Sequence, residues 1–312
     1  MRIGLDIMGG DFAPESTVLG AISALEDLDQ EDTLVLIGDI DKIKAILDRE
    51  NQPHDAFEII ASEEVIEMDE HPARAISRKT KSSIAIGFHM LKKGTLDAFS
   101  SAGNSGAMLV GSMHVVRSIP GVIRPSIASD LPKEDGSRGI ILDVGINADC
   151  KPDVLYQFAV IGSLYAEHAL GIENPKVGLL NIGEEREKGN LLTQATYRLM
   201  EETTEFNFVG NIEGRDLFDS SADVVVCDGF TGNVVLKEAE AFFKLISKRG
   251  LMDDYFKRFN YENYGGTPVL GINSNVLIGH GISSPRAIKN MIIASKTVTL
   301  AELPLKIKQA FN

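Results

Sequence analysis

The residues of this chain that could do chemistry lie in glycine-rich segments that end apolar runs. Asp6-Ile7-Met8-Gly9-Gly10-Asp11-Phe12-Ala13-Pro14 leads directly into a helical pattern. Two glycines let the backbone approach a ligand, and a helix N-terminus offers N–H donors to an anion, so Gly9, Gly10 and Asp11 are candidate phosphate-binding residues. The segment is neither G-x-G-x-x-G nor a Walker sequence, so a dinucleotide or nucleoside triphosphate lacks its motif. The plain alternative is a tight strand-to-helix turn. Ser100-Ser101-Ala102-Gly103-Asn104-Ser105-Gly106-Ala107 repeats the pattern, with Ser101, Asn104 and Ser105 as polar groups for a phosphate or carbonyl oxygen, or else as an ordinary helix cap. Leu142–Asn147 contributes Asn147, and Asn181–Asn190 contributes Lys188, a compact charge for a bound phosphate. Asp228-Gly229-Phe230-Thr231-Gly232-Asn233 places Asn233 at an expected helix start, as an amide donor or a cap. Gly279-His280-Gly281 adds His280 as an acid, base or donor.

Charge narrows the partners. Lys+Arg 31 against Asp+Glu 45 gives −14, which disfavours general attraction to nucleic acid or an anionic membrane. Residues 74–93 run against that balance, with Arg74, Arg78, Lys79, Lys81, Lys92 and Lys93 and no acid, and read as an anion or acidic-partner dock. Cys150 and Cys227 form no C-x-x-C pair, and the histidines show no metal-ligand spacing. There is no G-x-S-x-G elbow. The chemistry implied is positioning of an anion and an acceptor, with no metal, no cofactor and no covalent nucleophile. Asp6 interrupts the apolar core that a signal peptide needs, and no apolar run approaches the ~20 residues of a membrane span, so the reading is cytoplasmic.

The elements that must position these groups alternate along the chain. Strands are expected at Arg2–Asp6, Thr33–Ile37, Phe57–Ile60, Ala98–Ser101, Gly139–Asp143, Lys176–Leu180, Asn207–Val209, Asp223–Cys227 and Asn275–Ile278. Helices are expected at Glu15–Leu28, Ser82–Lys92, Ser105–Val116, Val154–Leu170, Asn190–Glu201, Asn233–Ser247 and Ser284–Ser295. Runs such as Leu34-Val35-Leu36-Ile37 and Val224-Val225-Val226 are apolar on both faces, as in a parallel sheet covered by helices. The alternation predicts an α/β fold with a parallel-rich sheet, helices on both faces and right-handed crossovers. Ligands in such folds sit beyond the carboxyl ends of the strands, where these loops fall.

Together the loops resemble the bacterial phosphate acyltransferase (PlsX) family. The resemblance runs through Asp6-x-Met8-Gly9-Gly10-Asp11-x-Ala13-Pro14, Ser101–Ala107, Arg124-Pro125 and Leu142–Asn147. It continues through Gly178–Glu185 with Lys188-Gly189-Asn190, Gly210–Gly214, Asp228–Asn233 with Leu236-Lys237, and Tyr264-Gly265-Gly266-x-Pro268. It covers nearly the whole chain, residues 1–312, as one phosphate acyltransferase domain. It implies two α/β subdomains around a cleft, in a fold resembling phosphotransacetylases and isopropylmalate dehydrogenases. It also implies transfer of a long-chain acyl group from acyl carrier protein to inorganic phosphate, for phospholipid synthesis.

The expected partners are the carrier protein, phosphate, a second copy in a homodimer, and a downstream glycerol-3-phosphate acyltransferase. Lys188 and Asn233 occupy the positions that look catalytic in the family. Gly9, Gly10, Asn104 and Ser105 would complete the anion cradle. Arg74, Arg78, Lys79 and Lys81 would dock the carrier, with Lys237–Arg258 as a second basic segment. Residues 238–262 replace a longer helical insertion of many members. Their apolar residues read as a shortened tip in weak contact with the inner face of the membrane, a dimer contact or plain core. Ser105 stands where the family usually has threonine. The alternatives are a phosphotransacetylase-type enzyme using short-chain acyl-CoA, or a non-catalytic scaffold.

Overall fold

Apolar runs form the strands of the computed structural model, which describes residues 1–311. The first stretch runs β1 (Arg2–Asp6), α1 (Glu15–Ala24), β2 (Thr33–Gly38), α2 (Ile40–Arg49), β3 (Glu58–Ala61), α3 (Pro72–Arg78), α4 (Ser83–Lys92), β4 (Ala98–Ser101) and α5 (Ser105–Gly111). The second runs β5 (Ser126–Pro132), β6 (Arg138–Leu142), α6 (Pro152–His168), β7 (Lys176–Leu180), α7 (Leu191–Met200), β8 (Asn207–Ile212), β9 (Val224–Val226) and α8 (Gly229–Lys248). The chain ends with β10 (Gly266–Leu270), β11 (Asn275–Gly279), α9 (Pro285–Leu300) and α10 (Leu303–Ala310). It divides into two units: residues 1–118 with 261–302, and residues 119–260 with the chain from Leu303.

In the first unit the strand order is β3-β2-β1-β4-β11-β10. All neighbours are parallel except β10, which runs antiparallel to β11. Leu34, Val35, Leu36 and Ile37 are all buried, which requires cover on both faces of β2. Helix α4 closes on β4, where a Cβ at Gly87 would come within 2.2 Å of the Phe99 ring. Helix α1 packs on α9 in the same way, Gly20 lying against Ile288.

In the second unit the order is β5-β6-β9-β7-β8, parallel except that β5 is antiparallel to β6. Alternation along β6 and β9 sends their side chains to two faces. Leu142 and Val224 meet Gly162 of α6. Ile141 and Val225 join Leu131, Leu180, Ile212 and Leu217 in a second core that Val235 and Leu236 of α8 cover.

Each predicted strand and helix has a counterpart, three strands with the expected ends and the rest with shifted ones. Helix α1 stops at Ala24 and tightens into a 3-10 turn over Leu25–Asp27. Helix α5 passes into a π-helical turn over Ser112–Val116. Helix α8 begins at Gly229, four residues before its expected start, so Asn233 lies inside the helix and Asp228 is its cap. Strands β5 and β10 and helices α2, α3 and α10 were not expected from sequence. Part of the 238–262 segment turns back onto its own unit. Phe259 stacks on Phe218 at 5.2 Å and on Tyr255 at 5.4 Å, while Phe242, Leu245 and Leu251 stay exposed. No helix among the described residues is long and apolar enough to cross a membrane.

Candidate functional site

Parallel pairing puts the carboxyl ends of β1, β4 and β11 side by side, and with them three of the glycine loops. The buried Asp6 carboxylate organises the first two. It accepts a 2.6 Å hydrogen bond from the Ser101 hydroxyl and one from the Met8 N–H. Burial pushes this carboxyl above the ordinary range, against hydrogen bonds from Ser101, Ser83, Met8 and Gly9 that pull it down. Glycine is required at Gly9, because a Cβ there would lie 2.4 Å from the Asp6 carboxylate and 2.6 Å from the Gly103 nitrogen. At Gly10 φ is +108°, a conformation that favours glycine. The next N–H, of Asp11, donates to the Gly281 carbonyl at 2.7 Å and ties in the third loop. His280 in that loop stacks edge-on against Tyr261, with centroids 4.7 Å apart.

The predicted site residues of this unit divide by availability. Ser101 is fully buried, donating to Asp6 and accepting from the Gly103 N–H. Asn104 caps α5 by accepting from the Ala107 N–H, and its amide donates to the carbonyls of Glu67, Met68 and Glu70. Both side chains are thus engaged in holding the loops together. Asp11 contributes here through its backbone, as the N–H tie to Gly281. Ser105, at the exposed first turn of α5, remains available.

The second unit repeats the device. Its loops leave the carboxyl ends of β6, β9 and β7, again parallel neighbours. Asp143, fully buried, accepts from the backbone N–H groups of Ile127, Ile146 and Asn147 and from the Asn147 amide. Burial raises its carboxyl against these same hydrogen bonds. The Asn147 amide also donates to the Pro125 carbonyl at 2.8 Å. Asn147, expected from sequence as a phosphate-binding residue, is buried with its amide engaged by Asp143 and Pro125. Helix α8 packs onto the turn through its glycines. A Cβ at Gly229 would fall 2.6 Å from the Asp143 carboxylate, and one at Gly232 would fall 2.0 Å from the Asp143 carbonyl. The helix thereby brings Asn233 over Gly145, whose built Cβ would be 3.5 Å from the Asn233 Oδ1. Asn233 is exposed, and among the described residues its amide has no protein partner.

Lys188 sits in the loop after β7, with its side chain 50% exposed and its ammonium 3.7 Å from Glu185. An exposed pair at that separation is worth at most about 1 kcal/mol. The Lys188 carbonyl accepts from Asn181, and Asn181 in turn donates to Asn211 at the end of β8. The role of Asp6, Asp143, Asn181 and Asn211 as organisers was missed from sequence. The visible signal was an Asp or Asn closing an apolar strand just before a glycine turn.

Of the four predicted docking cations, Lys79 is paired with Glu70 and Lys81 with Glu63. Arg74 and Arg78 are exposed and unpaired among the described residues. The second basic segment is neutralised only in part. Lys237 pairs with Glu240, Lys257 pairs with Asp254, and Arg258 donates to the Lys133 and Ser137 carbonyls.

Cys150, beside the Asp143 turn, has its thiol pushed up to about 11 by burial and by the charges of Asp143 and Asp228. Cys227 is buried and raised by the same causes. At pH 8 only about one Cys150 in a thousand is thiolate. Native protein should therefore show no fast-reacting thiol with a disulfide reagent, and denatured protein should show two. Rapid labelling of one thiol in the native state would contradict this environment.

The family model and the curated relatives point to one family. A family model described as "Fatty acid synthesis protein" matches residues 1–304. A phosphate acyltransferase of Halothermothrix orenii is 43% identical, over 100% of this chain and 99% of its own length. One from Desulfitobacterium hafniense is 45% identical, over 95% of this chain and 93% of its own. Among solved structures, the EutD phosphotransacetylase from Staphylococcus aureus aligns with a TM-score of 0.63 at 18% identity, covering 95% of this chain and 94% of that one. A branched-chain phosphotransacylase from Enterococcus faecalis aligns with 0.64 at 12% identity, covering 96% and 99%. At such low identity these two speak for the fold. With full-length relatives above 40% identity and glycine loops built around buried aspartates, this chain belongs to the phosphate acyltransferase family and is an acyltransferase.

Proposed function

We propose that the protein transfers a long-chain acyl group from the thioester of acyl carrier protein to inorganic phosphate. A phosphate oxygen attacks the thioester carbon and the C–S bond breaks. The proton of hydrogen phosphate ends on the carrier thiol, leaving acyl phosphate. Lys188 balances the charge of the phosphate, and the Asn233 amide donates to the oxyanion that forms on the thioester carbonyl. Losing one such donor typically costs ~10²–10³ in rate. The glycine loops around Gly9, Gly10 and Ser105 supply further N–H and hydroxyl donors for anionic groups. Arg74 and Arg78, the unpaired members of the four docking cations, meet the acidic carrier, and a glycerol-3-phosphate acyltransferase consumes the product.

One observation carries this reading. Lys188 and Asn233 lie at the carboxyl edge of one parallel sheet with side chains left available, while the asparagines around them are engaged in holding loops. The test is release of carrier thiol from palmitoyl carrier protein, with and without phosphate, trapping acyl phosphate with hydroxylamine. Phosphate-dependent release, weakening as salt rises, is the expected result. Release without phosphate would mean a thioesterase. Activity confined to acetyl-CoA would move the substrate to the short-chain coenzyme A esters.

A further inference from the structure

The loop that carries Lys188 lacks the usual means of being held. Glu184, Glu185, Arg186, Glu187 and Lys188 are five consecutive exposed residues, so no buried apolar side chain anchors this stretch. Its backbone is nevertheless clamped, by three side-chain amides from three different elements. Asn181, just after β7, donates to the Lys188 carbonyl at 3.1 Å. Asn211, near the end of β8, donates to the Glu185 carbonyl at 2.9 Å. Gln194, on α7, donates to the carbonyls of Glu187 at 2.9 Å and Gly189 at 3.1 Å. Asn211 and Asn181 are joined, the Asn181 amide donating to the Asn211 Oδ1 at 3.1 Å. Asn211 is only 6% exposed, so it is the fixed end of the chain of bonds. Gly189 is held at φ +93°, where a Cβ would strike Thr193 and Asn181.

The clamp turns four of the loop's carbonyls inward. The N–H groups of residues 184–187 have no protein partner among the described residues, so the outward side of these peptides is rich in donors. Lysine carries its charge on a flexible four-carbon stem, so its aim depends on how firmly the backbone beneath it is held. From this geometry we infer that Asn211, with Gln194, is a positioning residue: it touches no reacting atom and acts on acyl transfer through Lys188. The inference rests on the phosphate role of Lys188 given above.

A double-mutant cycle tests it, with initial rates read against inorganic phosphate to separate KM from kcat. Asn211→Ala should lower kcat/KM for phosphate by about 10- to 100-fold, the usual consequence of a reacting group displaced by ~1 Å. Lys188→Ala should lower it further. The double variant should then be no slower than Lys188→Ala, within about 2-fold. A double variant slowed by the product of the two single losses would overturn the proposal, as would a folded Asn211→Ala with unchanged kinetics. Gln194→Ala lies on the half-exposed face of α7 and leaves Asn211 in place. It should lose several-fold alone and nothing further beside Lys188→Ala, so it decides the matter if Asn211→Ala does not fold. Undiminished turnover in Lys188→Ala would remove the role of Lys188 itself, and with it the positioning role, a result distinct from the others.

Discussion

Lys188→Ala is expected to cut phosphate-dependent acyl transfer by about 10²–10³-fold while leaving the melting temperature within ~1 °C of the parent. The two halves of this expectation come from one local fact. The side chain is half exposed and its nearest carboxylate, on Glu185, is 3.7 Å away, so the fold gains little from it. The reaction gains far more, because attack on a thioester by a doubly charged phosphate is opposed until that charge is balanced. Lys188→Arg keeps the charge but replaces a point ammonium by a planar fork, and should recover part of the rate. The measurement is steady-state hydroxamate formation beside a thermal melt. A variant that keeps its activity, or loses it only by unfolding, would remove Lys188 from the chemistry.

Asp143→Ala should show the opposite balance, with stability failing first. The carboxylate is fully buried and accepts from the N–H groups of Ile127, Ile146 and Asn147 and from the Asn147 amide. Alanine leaves the three N–H groups without an acceptor, and the Asn147 amide with the Pro125 carbonyl alone, in a place water does not reach. That costs about 3–5 kcal/mol, or roughly 10 °C in melting temperature for a unit of this size. Activity should vanish as well, because Gly229 and Gly232 seat α8, and Asn233 with it, on this turn. Asp39→Ala is the useful contrast. It removes a partly exposed cap that accepts from Asp41 and Lys42, and should cost about 1 kcal/mol with no loss of turnover. Comparable losses in the two variants would mean that the Asp143 turn is not the keystone described here.

These contrasts explain what could be read in advance. The parallel strands were legible because burial on both faces makes runs such as Leu34–Ile37 and Val224–Val226 uniformly apolar. The two antiparallel strands were not. β5 mixes Ser126, Ser129 and Asp130 with apolar residues and ends in Pro132, while β10 contains Pro268, and such features read as loop. The start of α8 was misplaced for a related reason. Gly229 and Gly232 look like turn residues, but they are helical and are needed for close approach to Asp143.

The site was legible as a set of loops and less so as a set of roles. Lys188, Asn233 and Ser105 are available side chains, whereas Ser101, Asn104 and Asn147 are staples. Residue type does not separate the two groups, because the same amide can bind a ligand or a loop. The bonds that decide it join distant residues, such as Asn104 to Glu67 and Asn211 to Glu185.

The interlocked glycines also bear on how this sequence can drift. At Gly9 and Gly232 the obstruction lies where the first side-chain carbon of any other amino acid would fall, within 2.4 Å of the Asp6 carboxylate and 2.0 Å of the Asp143 carbonyl. Size and polarity do not enter, so every missense codon at these positions meets the same barrier, and alanine is no milder than a larger residue. The donors that face solvent carry no such constraint. Variants at Ser105 or Asn233 would accumulate as folded protein of altered activity, whereas variants at the glycines would be cleared as unfolded chains. New specificities in this scaffold therefore have the first set of positions open to them and the second closed.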